Sequence, residues 1–224
     1  MRNRFAEGPV RVGVIAVVLI TLMGPVAGAE ILKGELIVMP KISLGVPVGD
    51  YPVGQLKDWI SINSGVALGV LVDKVASEHV SLGGELGYNV NKVDASKIQQ
   101  KLSSTLPNYS PAFDWKTIQV SGHVRYFFKP AAPVNFFAHA GVGFYLNRFE
   151  QNLEVTGPHD AKETDPQSTT KSNFGVNVGP GMMVRLSPIV RLSVEALFNN
   201  VFTKYQNVRF INFTVGLAFR VSGD

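Results

Sequence analysis

Eight stretches of this chain alternate apolar and polar residues with period two, and the segments joining them are by turns very short and long. In the last stretch Ile211, Phe213, Val215, Leu217, Phe219 and Val221 share one face, opposite Asn212, Thr214, Gly216, Ala218 and Arg220. Strict alternation of this kind describes a strand whose two faces meet different surroundings.

The same parity recurs upstream. The strands expected before the last are Glu35 to Pro47, Trp59 to Val72, Val80 to Val90, Lys116 to Phe128, Val134 to Asn147, Phe174 to Leu186 and Val190 to Asn199. Asp73 to Glu78, Lys129 to Pro133 and Ser187-Pro188 read as short turns. Asn91 to Asp114 and Glu150 to Ser172 read as long exposed loops, the first with a helical turn or two at Ile98 and Leu102. A further loop spans Asn200 to Asn207. Pro40 and Pro180 fall inside strands, where a missing N–H predicts bulges.

Arg2, Arg4 and Arg11, the apolar run Val12 to Met23, the Gly24-Pro25 break and Ala27-Gly28-Ala29 have the layout of a secretory signal cleaved after residue 29. The alternative is a retained anchor, against which the Gly-Pro interruption and the small-residue site both argue. Cleavage removes three arginines and Glu7, taking the net charge from +4 to +2, so the basic balance gives no argument for nucleic acid. With no cysteine, neither a disulfide frame nor a thiolate metal site is open to the chain. Residues 30–224 suit one domain.

Charge decides which way the faces look. The apolar face is large, aliphatic and aromatic in all eight strands and carries almost no charge. The opposite face is Gly, Ser, Asn and Ala, with Glu35, Lys41, Glu85, Arg125, Arg185, Arg191, Glu195 and Arg220 among them. A soluble barrel of the lipocalin kind would point its apolar face inward and meet water with the other. Here small residues and sparse charges suit a narrow interior, and the uncharged face suits lipid, where an arginine at mid-bilayer costs about 2–4 kcal/mol. Closure removes the unpaired edges that hydrocarbon forbids. The expected fold is an all-β, eight-stranded antiparallel up-and-down transmembrane barrel, with short turns on the periplasmic side and long loops outside. Tyr88, Phe144, Phe174 and Phe198 would mark the outer interface, and Phe128, Phe136 and Phe219 the inner.

The runs Asn135 to Asn147, Phe174 to Pro188 and Val194 to Phe198 resemble the small outer-membrane β-barrel domain family, the OmpA- and OmpX-like barrels. The resemblance covers nearly the whole mature chain and is mostly one of pattern. It implies a monomer in the outer membrane of a Gram-negative-type bacterium, bedded in lipid and lipopolysaccharide and placed there by the barrel-insertion machinery. Members often finish on an aromatic residue, whereas Phe219 here is followed by Arg220 to Asp224.

Inside so narrow a barrel charges must pair. Glu35 is expected low in the lumen with Arg185, Arg191 and Arg220; Glu85 and Glu195 are expected higher, with Arg125 and Lys41. The network reads as a structural plug or as a gate whose pairs exchange. A turn centred near Ala131 would set His123 and His139 opposite each other, as hydrogen-bonded fillers near Glu85 or, less in keeping with two ligands alone, as a zinc or copper site. No cofactor motif is present: Gly141-Val-Gly143 lacks the helix a phosphate loop requires. A lipid-modifying enzyme would need a supported nucleophile and base, and His159, Ser168, Ser172, Ser103 and Ser104 lack triad-like spacing. The Asn108-Tyr-Ser110 acceptor pattern reads as chance. The function expected is non-enzymatic, with recognition or structural roles in the external loops. A narrow porin or a route for small apolar molecules is the alternative.

Overall fold

The computed structural model describes residues 31–48, 61–94, 109–156, 162–204 and 207–222. They form eight strands: β1 (Leu36–Pro47), β2 (Ser61–Ser77), β3 (Val80–Asp94), β4 (Tyr109–Phe127), β5 (Val134–Thr156), β6 (Lys162–Arg185), β7 (Val190–Phe202) and β8 (Val208–Ser222). Each pairs antiparallel with its sequence neighbour, and β1 pairs with β8 to close the barrel. No helix among the described residues is long and apolar enough to cross a membrane. The segment expected to be a signal, 1–29, lies outside the described residues, as do Ile98, Leu102, Ser103, Ser104, Asn108 and His159.

Parity decides orientation as the sequence predicts. Leu68, Leu86, Val120, Val142 and Val215 are 47–61% exposed on the outer wall. Glu35, Arg125, His139 and Glu195 are shut inside at 0–2%. On that wall Phe174 meets Phe144 edge-on at 6.0 Å and stacks at 6.2 Å on Phe202, the last residue of β7. Tyr126 and Phe128 make the matching contact near the short-turn rim, at 5.6 Å.

Several strands run further than alternation indicates. The supposed turn Asp73 to Glu78 is strand as far as Ser77, so Asp73 faces the lumen and is completely buried. Nor is Glu150 to Ser172 a loop: β5 and β6 stay paired from Val134↔Val184 out to Thr156↔Lys162. Part of Asn91 to Asp114 is likewise strand, with Val93 opposite Phe113. Beyond the bilayer both faces of a hairpin meet water, so hydrogen bonding continues while the apolar–polar contrast disappears.

The expected bulges at Pro40 and Pro180 are not there. Val38↔Phe219 and Lys41↔Gly216 share one register, as do Val178↔Phe198 and Gly181↔Glu195. Each proline keeps its place opposite the other neighbour, Val70 or Ala138, and the missing N–H is absorbed without an extra residue. The shift in β1 falls instead between Leu36 and Ile37, at the rim.

One end of the lumen is apolar, which a reading of small polar inward residues did not foresee. Ile37, Met39, Leu71, Val75, Phe127, Phe137, Met183 and Ala218 form a buried cluster at the short-turn end, completed by Ile31. Residues 31–35 turn through Gly34, at φ 87°, a conformation glycine adopts without a Cβ penalty. Gly34 N–H donates to Val75 O, and Ile31 N–H donates to Pro130 O in the turn between β4 and β5, on the far side of the barrel from β1.

Candidate functional site in the barrel lumen

Along the lumen the inward charges gather in three groups. Nearest the short turns, Arg191 grips Glu35 with both terminal nitrogens, at 3.0 and 2.8 Å, and Arg220 Nε adds a contact at 3.3 Å. Two parallel N–H donors on one carboxylate fix geometry as well as charge. Arg185, expected with them, donates from Nε to the Ser187 carbonyl at 3.0 Å, bracing the β6–β7 turn.

The middle group turns on Arg125. One terminal nitrogen donates to Asp73 at 2.9 Å and the other to Glu195 at 2.6 Å, and its guanidinium carbon lies 5.0 Å from the Phe137 ring centre. All three ionic side chains are at 0% exposure. Asp73 is a fourth inward acid beside Glu35, Glu85 and Glu195, hidden in the sequence because Asp-Lys after an apolar run looks like a turn. Carrying parity on from Gly69 and Leu71 to residue 73 is the signal that finds it.

The two histidines attach to this group rather than standing near Glu85. β4 and β5 pair Arg125 with His139 and His123 with Gly141, so the histidines are diagonal, not opposed. The hairpin centre lies one residue further along than Ala131, which moves the pairing by two and leaves every face unchanged. Their rings stack at 4.8 Å and 23°. His123 Nε2 lies 2.7 Å from Asp73 Oδ1, a carboxylate that only accepts, so that nitrogen carries the proton. His139 Nε2 donates to Asn177 Oδ1 at 3.1 Å, which leaves Nδ1 facing Arg125 Nε at 3.5 Å and Glu195 at 3.4 Å. Among the described residues no group of three His, Cys, Asp or Glu has the arrangement of a metal site.

Towards the outer end Lys41 pairs with Glu85 at 2.7 Å, with Ser43 and Thr214 hydrogen-bonded nearby at 2.7 Å. Above this the lining changes to amides and aromatic rings. Trp115 Nε1 donates to Thr117 and Asn147, at 2.9 and 3.2 Å, and the Trp115 ring meets Phe149 edge-on at 6.4 Å. Two cavities of about 20 Å³ each open here, one beside Lys41, Glu85, Asn89 and Asn212, the other beside Asn91, Trp115, Asn147 and Phe210. A space of that size holds about one water.

The glycines on the inner wall explain how so much fits. A Cβ at Gly181 would lie 2.3 Å from the Phe137 ring, and one at Gly141 only 2.4 Å from Asn177 Oδ1. On the outer wall, above the aromatic residues, Lys116 and Arg148 stand opposite each other and share Glu150, which Lys116 contacts directly and Arg148 Nε reaches at 3.0 Å.

A closed antiparallel barrel with an apolar exterior and an ion-paired interior defines an integral membrane protein of the outer-membrane type. Residues 22–220 match the model of the outer membrane protein beta-barrel domain, and the chain belongs to that family. Its fold is that of small outer-membrane barrels already solved. A major outer membrane protein from Thermus thermophilus is 16% identical, with a TM-score of 0.52 over 83% of this chain and 99% of that one. The outer membrane protein OprG from Pseudomonas aeruginosa is 9% identical, with a TM-score of 0.52 over 88% of this chain and all of the other. Neisserial surface protein A, at 14% identity, covers 83% of this chain and 96% of its own with a TM-score of 0.48. No curated protein sequence matches the chain.

Proposed function

We propose that this barrel is a non-conducting, non-enzymatic surface component of a Gram-negative-type envelope, exported by a signal ending at residue 29 and inserted as a monomer. Its ion groups lock the wall from inside, and its outer hairpins carry recognition or a structural role. The observation that carries this reading is the filled lumen: Arg125 bridges Asp73 and Glu195 across the interior at full burial, directly above the plug of Phe127, Phe137 and Met183. Opening such a path would strand buried charge, at about 3–5 kcal/mol for one broken pair. The β5–β6 hairpin, paired well past the last lipid-facing aromatic residue, supplies a surface for contact with lipopolysaccharide or another ligand.

Planar-bilayer conductance of the refolded mature chain tests the proposal, with Glu85→Gln alongside it. Absence of discrete channels in both proteins supports a plug. Steady conductance in the parent favours a narrow porin, and conductance that rises in Glu85→Gln favours a gate at the Lys41–Glu85 pair.

A further inference from the structure

We propose that the outer mouth of the lumen is a binding site for the hydroxyl groups of a neutral sugar or polyol, with Trp115 as its platform. This gives the recognition reading above a ligand class, and its test is separate from that of conduction.

Three observations converge. The first is charge. The lining of the outer cavity, which includes Asn89, Asn91, Trp115, Asn147 and Phe210, has no ionised side chain, and the charges around the deeper one, Lys41 and Glu85, neutralise each other. An ionic ligand finds no counter-charge in such a place; a neutral one loses nothing.

The second is hydrogen-bonding capacity. Some of the amides are committed: Asn91 Nδ2 donates to Asn63 O at 3.0 Å, and Asn147 Oδ1 accepts from both Trp115 and Thr117. Asn89 Oδ1 and Asn212 Oδ1 are buried acceptors without a donor, and both belong to residues lining the deeper cavity. A buried acceptor left unpaired is costly, so the site favours whatever brings a donor to it. Hydroxyl groups are neutral donors that also accept, matching an amide on either of its ends.

The third is shape. Each cavity admits one water-sized group, not a ring, so a ligand would send single hydroxyls down to the amides while its ring stays at the mouth. There the Trp115 indole is held by two hydrogen bonds from its own N–H and by the edge of Phe149, which fixes the plane an apolar sugar face would cover.

Trp59 and Trp115 are the two tryptophans of the chain, so a Trp59→Phe background reports on Trp115 alone. Titrating the refolded protein in lipid vesicles with maltotriose should give a saturable fluorescence shift with a millimolar dissociation constant. Sucrose octasulfate, a polyanion, should give none. Asn89→Leu and Asn212→Leu should each weaken binding by about tenfold, the effect of one lost hydrogen bond of about 1.4 kcal/mol. Gly45→Ser guards against variants that fail to fold. A Cβ at Gly45 lies 3.0 Å from Asn212 Oδ1, so the new hydroxyl would satisfy that oxygen, preserve folding and abolish the shift. No saturable shift with maltotriose, stronger binding of the polyanion, or unchanged binding in Gly45→Ser would each overturn the proposal.

Discussion

Replacing Arg125 with methionine tests what the buried charges contribute. Arg125 is the common partner of Asp73 and Glu195, at 2.9 and 2.6 Å, and all three side chains are at 0% exposure. Methionine retains an unbranched apolar stem against Phe137 and removes the cation from between two acids. Losing one partner of a buried pair costs about 3–5 kcal/mol. Here two carboxylates lose the same partner, so the upper end of that range is expected, near 5 kcal/mol. Removing all the charge at once is a different perturbation. In Asp73→Asn, Arg125→Met, Glu195→Gln no ion is left stranded, and replacement of a complete buried ionic group is often neutral or stabilising by about 1–4 kcal/mol. Equilibrium unfolding in urea, with the protein refolded into lipid vesicles and followed by fluorescence, measures both. A single variant that loses under about 1 kcal/mol, the scale of an exposed surface pair, would refute the reasoning. So would a triple variant as unstable as the single one, since the cost would then be packing rather than unpaired charge.

The wall and its exterior give further tests. A Cβ at Gly179 would lie 1.9 Å from the Ala196 carbonyl oxygen, so Gly179→Ala should disturb the β6–β7 ladder and destabilise by about 1–3 kcal/mol. Gly84→Ala, whose Cβ meets nothing nearer than 3.7 Å, should stay within about 0.5 kcal/mol in the same unfolding assay. Val215→Arg, mid-strand on the exposed face of β8, should cost about 2–4 kcal/mol in vesicles, whereas Val221→Arg at the end of that strand should cost about 0–1 kcal/mol. Equal costs at the two positions would place the bilayer elsewhere on the wall.

The sequence announces the fold wherever the two faces of a strand meet different media. Ile211 to Val221 are legible for that reason, and so are the lipid-facing residues of all eight strands. Legibility ends where the contrast does: Glu150 to Thr156 and Lys162 to Ser172 are paired strand, yet their polar composition looks like loop. Identity on the inner wall was partly hidden as well. Ile37, Met39, Leu71, Phe127, Phe137 and Met183 break the polar rule because they fill one end of the lumen, and filling a narrow space takes volume before polarity. At the ion groups, parity names which side chains point inward but not which of them meet. Depth sorts Lys41 and Glu85 into one group and Glu35 and Arg191 into another, without choosing the partners within each. The stacked diagonal of His123 and His139 depends on a hairpin centre that parity cannot distinguish from its neighbour, because a slip of two residues preserves both faces.

A ring of strands yields most easily by flattening into an ellipse, and a single tie between opposite walls resists that at small cost. Ile31, buried within the plug and hydrogen-bonded to Pro130 across the opening from β1, is such a tie, and it lies at one rim. Resistance to flattening therefore begins at that rim, and the Arg125 bridges to Asp73 and Glu195 carry it on into the lumen.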